Sequence, residues 1–223
     1  MRQLEAGLRA GLVNLALAMS DVQVGQCLDY LELIQKWNKV YNLTAVRDPA
    51  EMLTHHLLDS LAVIAPLRRH TRGRAISLLD VGSGAGLPGV VIAICCPEVN
   101  VTCVDTVSKK SAFVQQAALT LKLPNLRGLH ARVESLTQPY DVVCSRAFAA
   151  LADFVNWSVS ALAEEGVWLA MKGKVPSEEV AVLPKTVEVF HVEQLIVPGL
   201  DAQRCIVWIR TGDRSEKPRE FVT

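Results

Sequence analysis

Leu78-Leu79-Asp80-Val81-Gly82-Ser83-Gly84-Ala85-Gly86-Leu87-Pro88-Gly89 reads as a buried strand running into a glycine-rich turn and then a helix. The nearly continuous apolar run from Ile76 to Val81 suits a strand covered on both faces, as in a parallel sheet. The glycines supply positive φ and let a ligand approach the backbone. Pro88 fits a first helical position, where a missing N–H costs nothing. A helix N-terminus aimed into such a turn is a site for a bound ligand.

Two kinds of ligand fit the pattern. Gly84-Ala85-Gly86-Leu87-Pro88-Gly89 matches G-x-G-x-x-G, the dinucleotide fingerprint. The fuller frame, Asp80-x-Gly82-x-Gly84-x-Gly86, puts a carboxylate two residues ahead of the first glycine. It resembles the first motif of S-adenosylmethionine-dependent methyltransferases. There the acidic residue lies near the cofactor's amino acid end and the glycines face its adenosine. A pyrophosphate gains nothing from a neighbouring carboxylate, whereas a cationic sulfonium bearing an ammonium group does.

The chain has 223 residues, half of them hydrophobic, and a formal net charge of zero. That length holds one full α/β domain with an extension. Any nucleic-acid surface has to be local, because no global field supplies one. The cysteines (Cys27, Cys95, Cys96, Cys103, Cys144 and Cys205) lie in apolar runs without C-x-x-C spacing. This argues against disulfides and a zinc site and for buried thiols in the cytoplasm. Neither a leader pattern nor a membrane-spanning run is read. The expectation is a cytoplasmic monomer with no metal and no membrane partner.

Leu4, Leu8, Leu12, Leu15 and Met19 stand at helical spacing and predict a helix over 1–19. Ser20 and Gln23 form a capping box for a second helix through about Val40, with Leu28, Leu31, Ile34 and Trp37 as its core stripe. Asp48 caps a third helix that carries His55, His56, Asp59 and Ser60. Arg68, Arg69, His70, Arg72 and Arg74 read as a basic link, either solvated or touching RNA. From Ile76 onward strand, turn and helix repeat, with further strands at Val99–Asp105, Leu126–Leu129, Tyr140–Ser145 and Val167–Met171. Between them lie helices at Lys109–Leu121, N-capped by Ser108, and Ala150–Leu162, and a turn at Glu165-Gly166. Val187–Val197 and Cys205–Ile209 add an antiparallel hairpin at the sheet edge. The fold expected is α/β, a doubly wound, mostly parallel seven-stranded sheet. Residues 1–70 form a helical extension packed on the core, 71–210 the main domain and 211–223 a polar tail.

In such a sheet a ligand sits at the carboxyl ends of the strands, at the switch point. Those ends carry Asp80/Gly82, Asp105, Val133-Glu134, Ser145-Arg146 and Lys172-Gly173, polar residues after otherwise apolar strands. Asp105 falls about twenty residues past the glycines, where an acidic side chain bonds a ribose diol.

Over nearly its whole length the chain resembles the bacterial 16S ribosomal RNA (guanine-N7) methyltransferase family, once called glucose-inhibited division protein B. The segments that carry the resemblance are Trp37-Asn38-Lys39-Val40-Tyr41-Asn42-Leu43-Thr44, His56-Leu57-Leu58-Asp59-Ser60, Asp80 to Gly89, Ser145-Arg146-Ala147 and Lys172-Gly173. It implies a Rossmann-like domain using S-adenosylmethionine to methylate a guanine N7 in the 16S rRNA of the small ribosomal subunit. It further implies cofactor contacts from Gly82, Leu87, Val133, Glu134 and Arg146, beside Asp80, Gly84, Gly86 and Asp105. Asn42, His56, Asp59, Lys109, Lys110 and Lys172 form the substrate side, and Arg146 and Lys172 position the reactants. Asp105-Thr106 stands where Asp-Ser is usual, and Lys109-Lys110 where Lys-Arg is usual.

Methylation at guanine N7 uses a free lone pair and removes no proton, so positioning does most of the work and no base is needed. The fourth strand ends in Ser145-Arg146-Ala147-Phe148, not in the Asn/Asp-Pro-Pro-Tyr/Phe type used on exocyclic amines. Cys144 lacks the preceding proline of cytosine-C5 enzymes and reads as a buried thiol. Arg146 is either an ion-pair partner of Glu134 or Asp141, or a donor to the cofactor or the guanine O6 edge. His56 and Asp59, one turn apart, either bond each other or face the substrate. Lys172 is a solvated strand end or a phosphate contact. Competing functions are a nicotinamide oxidoreductase, which Asp80 disfavours, a non-catalytic cofactor-sensing RNA-binding protein, and a small-molecule methyltransferase.

Overall fold

A computed structural model describes residues 2–212. Helices α1 (Arg2–Asn14) and α2 (Asp21–Tyr41) come first. Next, α3 (Pro49–Met52) passes through a π-helical stretch, Leu53–Leu58, into α4 (Asp59–Leu61) and α5 (Ile64–Thr71). There follow β1 (Ile76–Val81), α6 (Gly89–Cys95), β2 (Val99–Asp105), α7 (Ser108–Thr120) and β3 (Leu126–His130). The remainder is β4 (Tyr140–Arg146), α8 (Leu151–Ser158), β5 (Leu162–Lys172), α9 (Ser177–Ala181), β6 (Val187–Leu195) and β7 (Arg204–Thr211).

The strands form one seven-stranded sheet in the order β3-β2-β1-β4-β5-β7-β6. The first five are parallel, and β7 is antiparallel to both β5 and β6. The doubly wound fold and its antiparallel edge hairpin are as expected from the sequence. Alternation along each strand feeds two cores. Leu78, Val101, Val142 and Leu169 face α1, α2 and α4 to α7, while Leu79, Val104, Val143 and Trp168 face α8. The N-terminal helices therefore share a face with α6 and α7. In α2 the buried stripe of Val24, Leu28, Leu31 and Ile34 seals that face, each side chain worth about 1.5–3 kcal/mol when fully buried. The capping box forms: Gln23 N donates to Ser20 Oγ at 3.2 Å and Ser20 N to Gln23 Oε1 at 3.0 Å.

Several local expectations change. The first helix stops at Asn14, and Ala16 takes a left-handed φ of 51° in the turn. The Glu165-Gly166 turn is instead the interior of β5. A Cβ on Gly166 would stand 2.9 Å from the Tyr140 carbonyl oxygen, so the glycine serves close strand approach where the β4–β5 register shifts. The helix expected to reach Leu162 does so in two parts: α8 passes at Ser158 into a 3-10 turn, Val159–Ala161, and the Ser158 hydroxyl donates back to Phe154 O and accepts from Trp168 Nε1 at 2.9 Å. Ser108 does not cap α7; Asp105 Oδ1 takes the Val107 N–H at 2.8 Å instead. Pro88 precedes α6 rather than opening it. The basic link is largely helix α5. Of the polar tail expected over 211–223, Thr211 ends β7 and residues 213–223 lie outside the described residues.

Candidate active site

Strand order reverses between β2 and β4, on either side of β1, so the turn after β1 lies at the switch point. It is pinned from three sides. Gly82 N and Ser83 N both donate to Val104 O, at 2.9 and 3.2 Å. Gly84 N donates to Asp105 Oδ2 at 3.0 Å. The buried Tyr30 hydroxyl of α2 donates to Ala85 O.

Two cavities flank this turn. One of about 460 Å³ is bounded by Thr44, His55, His56 and Asp59, by Gly82–Ala85 and Leu87, and by Arg146, Lys172, Gly173 and Arg204. The other, about 370 Å³, is lined by Asp105, Lys110, Arg132, Val133, Glu134, Phe148 and Trp157. Gly82 and Ala147 line both. Gly84 has a φ of +59° and nothing within 4 Å of where a Cβ would sit, so its bare Cα borders open space. Gly82, with φ +65°, faces the Phe148 ring, which a Cβ there would overlap.

The larger cavity has an ionic wall. Arg146 Nη1 donates to Asp59 Oδ2 and to His55 O, both at 2.8 Å. Arg204 Nε donates to Asp59 Oδ1 at 2.9 Å. His55 lies in the π-helical stretch Leu53–Leu58, so this bond ties the end of β4 to the backbone of that stretch. His56 Nε2 lies 2.8 Å from Thr44 Oγ1, while its buried Nδ1 has no partner among the described residues. Burial, and next the Arg146 charge, lower the His56 pKa, which keeps the ring neutral around pH 7.

Most residues singled out from sequence surround this turn, but several have other partners. Asp80 is fully buried behind it, accepting from Gly89 N at 2.8 Å and facing Cys103 Sγ at 3.9 Å. Its Oδ1 is buried without a partner among the described residues. Burial raises the Asp80 pKa to about 7, although the Gly89 N–H opposes the shift. Arg146 pairs with neither Glu134 nor Asp141; its partner is Asp59, while Asp141 accepts from Ser77 N and Oγ. His56 and Asp59 do not bond each other, because Thr44 and the two arginines claim them. Lys172 is neither solvated nor free for phosphate: its Nζ donates to Glu179 Oε2 at 2.8 Å and Ala149 O at 2.9 Å. Asn42 is exposed and caps α2 with φ 49°, off both cavities, as is Lys109. Lys110 lies 3.9 Å from Asp105. Gly86 packs against Val90, Val114 and Tyr30 rather than against a cavity.

The basic residues of α5 and the loop after it lie away from both cavities. Arg68 Nη2 donates to Cys95 O at 2.6 Å, at the far end of α6. Arg69 pairs with Glu193, His70 stacks on Trp208 at 4.7 Å, and Arg74 Nε donates to Thr71 O. They precede the amino end of β1, opposite the turn. Cys144 is buried with its thiol pKa well raised by desolvation, as is Cys103. Among the described residues no three His, Cys, Asp or Glu side chains converge on a metal position, and no helix is long and apolar enough to cross a membrane.

Arg204 is a cavity residue that the sequence pattern does not flag. The carboxyl ends of parallel strands point to the site, yet β7 is antiparallel, so its amino end lies at the same edge. A cation at the start of the last strand is the available signal.

The family described as rRNA small subunit methyltransferase G matches residues 23–207. A protein of a Polaromonas species named "Ribosomal RNA small subunit methyltransferase G" is 72% identical over 214 residues, covering 94% of this chain and 95% of the relative. A protein of the same name from Albidiferax ferrireducens is 68% identical over 220 residues, covering 94% and 98%. Among solved structures, Burkholderia thailandensis 1,6-didemethyltoxoflavin-N1-methyltransferase shares the fold with a TM-score of 0.58 at 16% identity, over 83% of this chain and 90% of that one. TrmN from Thermus thermophilus gives 0.55 at 17% identity, over 72% and 53%. With its fold that of solved methyltransferases and its sequence matched from the second helix to the last strand, the chain belongs to the rRNA small subunit methyltransferase G family.

Proposed function

We propose that this chain methylates N7 of a guanine in 16S rRNA, using S-adenosylmethionine, with the rRNA or the small ribosomal subunit as its partner. The observation that carries the reading is the pinned turn after β1. Its Gly84 borders open space in the cavity walled by Arg146 and Arg204, and across Gly82 lies the second cavity, where Asp105 and Glu134 stand beside Lys110 and Arg132. The buried, unpartnered Asp80 Oδ1 lies behind this turn and lines neither cavity; ionised, it would favour a cation bound in front of the turn through space. Asp80, Gly82, Gly84, Leu87, Asp105, Val133, Glu134 and Arg146 would hold S-adenosylmethionine. The cofactor supplies the methyl group on a sulfonium. The chain's own task is to orient the guanine and exclude water, because N7 carries a lone pair and no proton. The helices up to residue 70 wall the substrate side, the domain over 71–210 carries the cofactor, and the enzyme works as a cytoplasmic monomer.

The reading is tested by transfer of labelled methyl to small ribosomal subunits, followed by borohydride reduction and aniline cleavage. An N7-methylated guanine is cationic and breaks the RNA at that nucleotide. Label without cleavage would return the exocyclic amines and ring carbons as acceptors.

Gly84→Ala is expected to weaken cofactor binding about tenfold or more while costing about 1 kcal/mol of stability, since φ +59° disfavours alanine. Gly82→Ala is expected to act on stability first, by about 1–3 kcal/mol, because the Phe148 ring has to yield. Calorimetric titration and urea unfolding separate the two. Wild-type affinity in a folded Gly84→Ala protein would remove that glycine from the ligand surface.

Neutralising Arg69, Arg72 and Arg74 together should leave the salt dependence of RNA binding unchanged. If one of them neutralised a phosphate, its removal would flatten the slope of log affinity against log salt by about 0.7–0.9. Such a flattening would place RNA on the amino-end face of the sheet.

A further inference from the structure

The charges around the larger cavity do not balance. Lys172 is neutralised by Glu179, and His56 is held neutral. Arg146 and Arg204 share one carboxylate, Asp59, whose side chain is only 4% exposed. One positive charge is left over at a partly desolvated wall, where the arginine side chains are 20% and 25% exposed. Donors are left over as well. Asp59 and the His55 carbonyl occupy Arg146 Nη1, and Asp59 and the Gln203 carbonyl occupy Arg204 Nε and Nη1. Nη2 of each arginine donates to nothing among the described residues. Guanidinium groups bind oxyanions through paired, planar N–H donors.

We propose that Arg204 and Arg146 form a clamp for a second anion in this cavity, with Asp59 as the positioning residue that sets the spacing of the two guanidinium groups. The ligand is an oxyanion: a phosphodiester of the RNA acceptor or the carboxylate of the cofactor's amino acid end. The inference rests on the methyltransferase reading for the identity of these sources, but not for the clamp itself. Arg204 is a binding residue, held on the cavity wall by Asp59. The π-helical stretch offers His55 O and the α4 that follows it offers Asp59 to the same Arg146 nitrogen, which fixes the clamp to the N-terminal helices.

The full chain and its Arg204→Gln, Arg204→Lys and Asp59→Asn variants provide the test. Inorganic phosphate should raise the melting midpoint of the wild type and not of Arg204→Gln, whether or not methyl transfer occurs. An equal rise in both proteins overturns the clamp. A wild type that gains from phosphate yet never transfers methyl leaves the clamp standing and overturns the methyltransferase reading. If RNA is the source, Arg204→Gln loses about tenfold or more in RNA affinity. Its salt slope becomes shallower, and S-adenosylhomocysteine binds as before. If the cofactor carboxylate is the source, S-adenosylhomocysteine binding falls about tenfold while 5′-methylthioadenosine, which lacks the amino acid, binds equally to both proteins. Unchanged binding of all these probes overturns the proposal. Arg204→Lys keeps the charge without the fork and should recover part of the loss. Asp59→Asn separates positioning from mere support. It raises the cavity's charge yet releases the two guanidinium groups from their set spacing, so phosphate affinity and kcat both fall about tenfold or more although the ligand-free melting midpoint stays near wild type. Equal losses in binding and kcat that track a lowered melting midpoint would reduce Asp59 to a structural strut.

Discussion

Arg146→Ala is expected to lower kcat/KM for methyl transfer about a hundredfold or more while costing about 1–3 kcal/mol of folding stability. The stability part follows from the bonds broken. Arg146 Nη1 gives one hydrogen bond to the buried Asp59 and one to His55 O, and Arg204 alone remains to compensate the carboxylate. The catalytic part exceeds this because the same two bonds tie the end of β4 to the substrate-side wall. Displacement at a methyl group depends on alignment, and a shift of about 1 Å in a positioning element is enough to cost two orders of magnitude. Arg146→Lys keeps the charge, but its ammonium sits on a shorter, more flexible stem than the guanidinium whose Nη1 meets both Asp59 and His55 O. It should recover most of the stability and little of the turnover. Urea unfolding and steady-state transfer to small ribosomal subunits measure the two effects separately. Near-normal turnover in Arg146→Ala would mean that the residue only braces Asp59.

What is legible in the sequence and what is not divides along a physical line. Backbone organisation depends on periodicity and on glycine placement, both local. Hence β1, its turn, the mostly parallel sheet and the edge hairpin can all be read. Partner choice among polar side chains depends on distant chain segments. Arg146 meets Asp59, 87 positions earlier, and Asp59 meets Arg204, 145 positions later; no local pattern announces either. Gly166 shows the same limit, since a glycine needed for close strand approach looks like one needed for a turn. Gly82 and Gly84 read alike as ligand-facing, yet Gly84 borders open space and Gly82 receives Phe148. The basic run from Arg68 to Arg74 looks like a surface link because the partners of Arg68 and Arg69, Cys95 O and Glu193, lie outside its own segment.

A pH profile provides the second large effect, through Asp80. Its pKa rises from an ordinary 3.8 to about 7 because the carboxyl is buried, so the free protein at pH 6 holds it largely protonated. A cationic cofactor favours the ionised form. The value of kcat/KM for S-adenosylmethionine should therefore climb about tenfold per pH unit below about 7 and level off above it. By contrast kcat, which reports the loaded enzyme, should stay flat across neutrality, because guanine N7 gives up no proton. The nearby thiols do not imitate this profile, because burial raises Cys103 and Cys144, and burial moves His56 the other way, below its ordinary value. Folding stability moves the opposite way. A carboxyl whose folded pKa is raised stabilises the fold fully below about 4, and that contribution is lost as pH climbs to about 7. Asp80→Asn should remove both slopes together, leaving cofactor affinity low and pH-independent and stability at pH 8 equal to wild type or better. A kcat/KM profile in Asp80→Asn that still climbs toward pH 7 would assign the titration to another group and take Asp80 out of cofactor binding.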